Sequence, residues 1–332
     1  MFILLALAAK AASALYLLAA TLLVGTAAFD FLVWRRTGLP IGPVRTAAEH
    51  EMADLVLTSG RWSSVAVLVL AVPRAIGVAL LLDDRFTLRS RFDLLVFRSP
   101  WGFGLLAVLV GGVLSLLGYE WAARHRRGGW PLIWAGVVCI GIAAGLQGHP
   151  DEIFARLTIT PFLDGVHAVS TGAWLGTFFL LVLSERRLPA HTSSPWTDPL
   201  GAMLGRYFTV SGSLAALVLI TGLLSASMHL SSFEDIQSTE YGRLLAGKVG
   251  IVGTLLFLNE HHRRHAERQA RTVQRQKLAH SLRFEAGLIG LILSLTALLM
   301  GVAPPGVNEV HAELFRAAPK GSIRANDIPI DR

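Results

Sequence analysis

Long apolar runs, rather than short amphipathic periods, dominate the pattern along the chain. Runs of 18 or more apolar residues with few charges are long enough to cross a bilayer as helices. About eight such segments are predicted, over residues 5–33, 62–82, 101–123, 130–148, 161–184, 207–229, 242–261 and 284–303. Trp34, Trp62, Trp101, Trp121, Trp130 and Tyr241 stand near segment ends, where amphipathic rings favour the headgroup level. The stretch "DRFTLRSRFDLLVFRSP" (84–100) has an apolar core of only about six residues, too short to cross, and reads as an interfacial segment. From Pro304 the chain turns polar. The pattern predicts an all-α integral membrane protein: a membrane domain of about eight transmembrane helices over 1–303, followed by a polar tail over 304–332.

Composition agrees. Of 332 residues, 53% are hydrophobic and 16% charged, and the mean hydropathy is +0.53; soluble domains carry about 25% charged residues. The single cysteine, Cys139, excludes an intramolecular disulfide and a cysteine-cluster metal site. The opening "MFILLALAAKAASALYLLAATLLVG" has no basic n-region and reads as the first span rather than a cleaved leader. A net charge of +7 need not mean nucleic acid, because in a membrane protein the distribution of charge carries the information. Roughly 17 Lys and Arg fall in the odd-to-even connections, against about 10 on the other side. The first group includes Arg35, Arg36, Arg45, Arg61, "ARHRRGG", Arg186, Arg187, Arg206 and "HHRRHAERQARTVQRQKLAHSLR". The basic side is expected to be cytoplasmic, which puts both termini outside; in a bacterial cell that is the periplasmic side of the inner membrane.

This orientation gives the histidines a common side. His149 stands at the outer end of the fourth span, His167 roughly 9 Å into the fifth, and His229 closes the sixth, which returns to the same face. His311 lies in the tail on that side. Asp164, His167 and Thr171 share one helix face at i, i+3 and i+7. A carboxylate beside an imidazole can fix its tautomer and support metal ligation, a second-layer role expected for Asp164. Met228 sets a thioether next to His229, a donor pair that suits copper better than magnesium or calcium. The plainer reading of each residue is polar contact at the membrane surface, packing for Met228, and helix N-terminal charge for Asp164. Cys139, about 15 Å along its helix from His149, reads as core. His261 and His265 have metal-pair spacing, but Arg263 and Arg264 lie between them, so "EHHRRH" reads as a solvated basic anchor; "EHEM" (49–52) is a similarly weak signal. Lys10, Arg74 and Lys248 fall inside apolar spans and need partners, for which carboxylates such as Glu285 are candidates, or room to reach the surface.

Over roughly 145–305 the chain resembles the copper resistance D (CopD/PcoD) family of bacterial inner-membrane proteins. "HAVSTGAWLGTFFLL" holds His167, Trp174 and Gly176 in that family's His-then-Trp-x-Gly pattern. "RYFTVSGSLAALVLITGLLSA…TEYGRLLAGKVGIVGTLLFLNEHHR" places Arg206, Phe208, Gly222, Tyr241, Gly242 and Lys248 at matching positions. "LRFEAGLIGLILSLTALLMGVAPP" is similar to the closing helix, with Glu285 at the family's acid, and "GLQGHP" is similar to the Gly-His ending of the preceding helix. The resemblance implies an eight-span protein that moves copper from periplasm toward cytoplasm, with periplasmic CopC-type chaperones as partners. With five methionines and no Met-rich motif, a His-dominated site fits better than a methionine route.

The leading expectation is a non-enzymatic copper transporter or permease, its ligands drawn from His149, His167, His229 and Met228. No GxxxxGK[ST] phosphate loop occurs, so ATP is not expected as the direct energy source. Neutral imidazole is the ligand, so binding should weaken below about pH 6.5. The alternative is an electron carrier with a single b-type haem held by two of the same histidines. A scaffold or sensor without a cofactor is a third reading.

Overall fold

The computed structural model describes residues 2–37, 43–81, 87–125, 128–147, 159–188, 199–230, 232–268, 275–299 and 302. Every regular element among them is helical. In a bilayer each backbone N–H and C=O must be satisfied within its own segment, which an apolar helix achieves. Helix α1 spans Phe2–Ala28 and runs through a π-helical turn at Phe29–Val33. Helices α2 (Pro43–Leu81), α3 (Leu88–Phe97), α4 (Pro100–His125) and α5 (Trp130–Leu146) follow. The next span is built in three parts: α6 (Thr160–Thr171), a π-helical turn at Gly172–Gly176, and α7 (Thr177–Arg187). The last elements are α8 (Pro199–His229), the short α9 (Asp235–Ser238), α10 (Glu240–Arg268) and α11 (Arg275–Leu299).

All eight expected spans are helices. Seven are long and apolar enough to cross a membrane, counting α6 to α7 as one, while α5 has 17 residues. At 1.5 Å per residue α5 reaches about 26 Å, close to the thickness of the hydrocarbon core. Helix α2 begins well before the expected residue 62, because polar "RTAAEHEMADL" continues the helix below its apolar part. Pro73 lies inside α2, where its missing N–H and its ring interrupt the ladder one turn earlier. The stretch expected to lie at the interface is α3, capped by the Thr87 hydroxyl, which accepts from the Ser90 N–H at 3.3 Å. Exposed Phe92, Leu94 and Phe97 lie between Arg89 in its first turn and Arg98 at its C-cap, a mixture that suits a helix at a membrane surface. The tail over 304–332 lies outside the described residues.

The core is centred on α1, which packs against α2, α5, α6, α7 and α11. Its closest approach is to the π-turn of the fifth span. A Cβ added at Gly25 would lie 2.3 Å from the Gly176 backbone, and one at Gly176 would lie 2.2 Å from the Thr21 carbonyl oxygen. Only glycine lets these two backbones meet, the small-residue contact that association of membrane helices favours. Trp174 in the same turn is 2% exposed and joins this core. Helices α8, α10 and α11 are the least covered spans, and Ile220, Leu223, Val249, Phe257 and Leu291 on them are exposed. In a bilayer such surface meets lipid.

Candidate functional site

Helices α6 and α8 run antiparallel, shown by two cross-links that step in opposite directions along them. Asp164 accepts a hydrogen bond from the Ser225 hydroxyl at 2.8 Å. One turn deeper, His167 Nδ1 lies 3.1 Å from the Val218 carbonyl oxygen and 3.0 Å from Thr221 Oγ1. The Val218 carbonyl is available because it lies one turn before Gly222, whose missing side chain leaves room for the ring. A Cβ at Gly222 would lie 3.0 Å from His167 Cε1.

These contacts decide the tautomer of the neutral ring. A carbonyl oxygen can only accept, so the proton sits on Nδ1. The Thr221 hydroxyl already donates to the Leu217 carbonyl at 2.7 Å, so toward His167 it accepts as well. The lone pair therefore lies on Nε2. A ring held through Nδ1–H by a carbonyl with Nε2 open is the arrangement that metal-ligating histidines use.

Lys248 of α10 is half-buried and stands eight residues into its helix, about 12 Å from the helix start. The cluster is thus an imidazole and a carboxylate of one span, braced by hydroxyls of a second. Thr171, one turn beyond His167, has a buried hydroxyl with no hydrogen-bond partner. Deeper along α8, Ser211 and Asn259 of α10 join the two helices through the Asn259 amide, which donates to the Ser211 hydroxyl at 3.1 Å.

Other residues singled out by sequence fall as follows. His149 and His311 lie outside the described residues. Met228 and His229 are the last two residues of α8, their side chains outside the description; their backbone lies about 10–12 Å along the helix from Thr221. Among the described residues no three His, Cys, Asp or Glu side chains gather as a metal-holding group. Arg206 donates from Nε to the Leu32 carbonyl at 3.1 Å, tying α8 to the π-turn after α1. Tyr241 is buried where α10 begins, and Glu285, 4% exposed on α11, interacts electrostatically with Tyr207. His261 is exposed and stacks on Phe257, while Arg264 pairs with Glu260 at 2.5 Å, in keeping with a solvated basic anchor. In "EHEM", Met52 is core and its three neighbours are exposed. Cys139 packs on α4, where a Cβ at Gly111 would meet its Cβ at 2.9 Å.

Glu285 is not the partner of the buried Arg74. Arg74, 4% exposed, donates to Gln147 Oε1, and its guanidinium lies over the rings of Tyr16 at 4.5 Å and Trp101 at 5.5 Å. The reason is position: Glu285 is near the other end of the bundle, beside Tyr207, whereas aromatic faces and an amide oxygen surround Arg74. Sequence reading missed Val218, Thr221 and Ser225 as the supports of the site. Their signal was weak, since Thr and Ser in an apolar helix commonly bond their own backbone.

With this geometry in view, the comparisons with known proteins have a bearing. The model of the family described as CopD, copper resistance protein D, matches residues 201–299. Residues 201–299 are thus similar to copper resistance protein D. That segment contains α10, α11 and most of α8, and so supplies Thr221, Ser225 and Lys248, while His167 and Asp164 come from the span before it. No curated protein and no solved structure matches the chain. The apolar helices are long enough to cross a membrane several times, and residues 201–299 among them are similar to copper resistance protein D.

Proposed function

We propose that this protein binds copper in the membrane and passes it from the periplasmic side toward the cytoplasm, with His167 Nε2 as a ligand. The observation that carries the reading is the anchored ring: Nδ1 is engaged by Val218 and Thr221 of α8, within the matched segment, which leaves Nε2 as the donor. Asp164 stands one turn away to balance charge and is itself held by Ser225. His149, His229 and Met228 are the proposed further ligands. Copper here is cargo rather than a resident cofactor, and the role is binding and transfer rather than catalysis.

The density of Lys and Arg in the connections supports an inner-membrane protein with both termini periplasmic. On that side a CopC-type chaperone is the proposed copper donor. Purified protein in liposomes tests the reading. Copper added on the side where α6 begins should enter the vesicles, and His167→Ala should reduce entry at least about tenfold, as loss of a metal-supporting group commonly does. Equal entry with the variant would refute it.

A further inference from the structure

We infer that Arg74 and Gln147 form an oxyanion site near one face of the membrane, taking the phosphate group of a lipid or of free phosphate. The site is separate from the proposed copper ligand His167 and does not depend on that reading. Arg74 is 4% exposed and Gln147 2%. The guanidinium lies over the rings of Tyr16, at 4.5 Å, and Trp101, at 5.5 Å, and donates to Gln147 Oε1. A guanidinium carries five N–H donors and accepts nothing, so the amide must turn its oxygen toward Arg74. Gln147 Nε2 is left on the far side of that amide, buried and with no hydrogen-bond partner. Asp93, the carboxylate of the neighbouring α3, pairs with Arg98 at 3.2 Å. Among the described residues no carboxylate pairs with Arg74.

A buried cation with a single neutral acceptor is costly, because the hydration it loses is restored only by opposite charge and a full set of acceptors. The aromatic faces attract the charge, by on the order of 2 kcal/mol where water is excluded. They offer no lone pairs to the remaining N–H groups. The site thus lacks negative charge and acceptors, and an oxyanion supplies both. Two of its oxygens match the planar guanidinium fork, and further lone pairs remain for the Gln147 amide. Position makes such a group available. Trp101 lies in the first turn of α4, and Gln147 caps the end of α5. Arg74 stands seven residues before the end of α2, about 10 Å along it. This is the level at which helices end and headgroups and water begin. Filled, the site ties α1, α2, α4 and α5 together at that end.

The test is thermal unfolding of the purified full-length protein in a neutral detergent. One series compares inorganic phosphate with chloride at equal ionic strength, and a second compares mixed micelles containing phosphatidylglycerol with those containing phosphatidylcholine. The variants are Arg74→Gln and Gln147→Glu, the latter placing a carboxylate against Arg74 with little change of shape. A ligand that binds only the folded protein raises its midpoint, so the wild-type midpoint should rise and level off in at least one series. A response to phosphate identifies a free anion; a response to phosphatidylglycerol alone identifies a lipid headgroup. Gln147→Glu should unfold above wild type without added anion, and neither variant should respond to it. If Arg74→Gln does not fold, Gln147→Glu decides by itself. A wild-type midpoint unmoved in both series, variants that respond as wild type does, or a Gln147→Glu midpoint below wild type would overturn the site.

Discussion

At the scale of single residues, the site depends on one glycine as much as on its histidine. Gly222 lets the His167 ring lie against α8, where Val218 and Thr221 fix its tautomer. A bulkier residue would push the ring off that carbonyl and let Nε2 compete for the proton. Gly222→Val is therefore expected to weaken His167-dependent metal binding on the order of tenfold, since overpacking of this kind costs about 1–3 kcal/mol. The chain should still fold, because α8 faces lipid over much of its length. Metal titration alongside a thermal melt separates these effects, and unchanged affinity would count against the Nδ1 anchor. Ser225 and Thr221 look like ordinary back-bonding hydroxyls in the sequence. Only the packing of α6 on α8 turns them toward Asp164 and His167.

At the scale of elements, the helices themselves were legible. Eight apolar runs became eight helices, and the interfacial segment became α3, because burial in a bilayer leaves an apolar run few other choices. The π-turns were not legible. "GAWLG" reads as continuous helix, yet the extra residue in its turn depends on the close approach of α1 at Gly25. The partners of Arg74 were equally hidden, since nothing local in the sequence joins residue 74 to Gln147, Tyr16 and Trp101. The Gly25–Gly176 contact carries a direct prediction. Gly176→Leu should destabilise the protein by at least about 1–3 kcal/mol, because the clash is with backbone that cannot step aside. A lowered midpoint of thermal unfolding in detergent is the expected result, whereas a wild-type midpoint would show that α1 and the π-turn are not so closely packed.

Across the whole molecule, two regions divide the work. The first spans and the π-turn pack most closely around α1, while the matched segment joins the same core through residues such as Met203, Tyr207 and Ile289 and leaves more of its helices uncovered. His167 and Asp164 stand where the two regions meet. They belong to the last span before the matched segment and are braced by the first helix of that segment. This division explains why sequence reading found His167 but not the pocket around it: the ligand and its supports lie more than fifty residues apart, and an antiparallel helix pair brings them together. It also explains why three histidines on one side need not form one cluster. Position along a helix sets their level, and His229 ends α8 about 12 Å from Thr221. The account as a whole rests on copper held through His167, and one measurement tests it most directly. Full-length wild type and His167→Ala, purified side by side, are assayed for bound copper and for visible absorption. The account predicts copper on the wild type, its loss from the variant, and no Soret band in either. Equal copper on both proteins, or a Soret band that His167→Ala removes, would contradict it, the latter by making the ring a haem ligand.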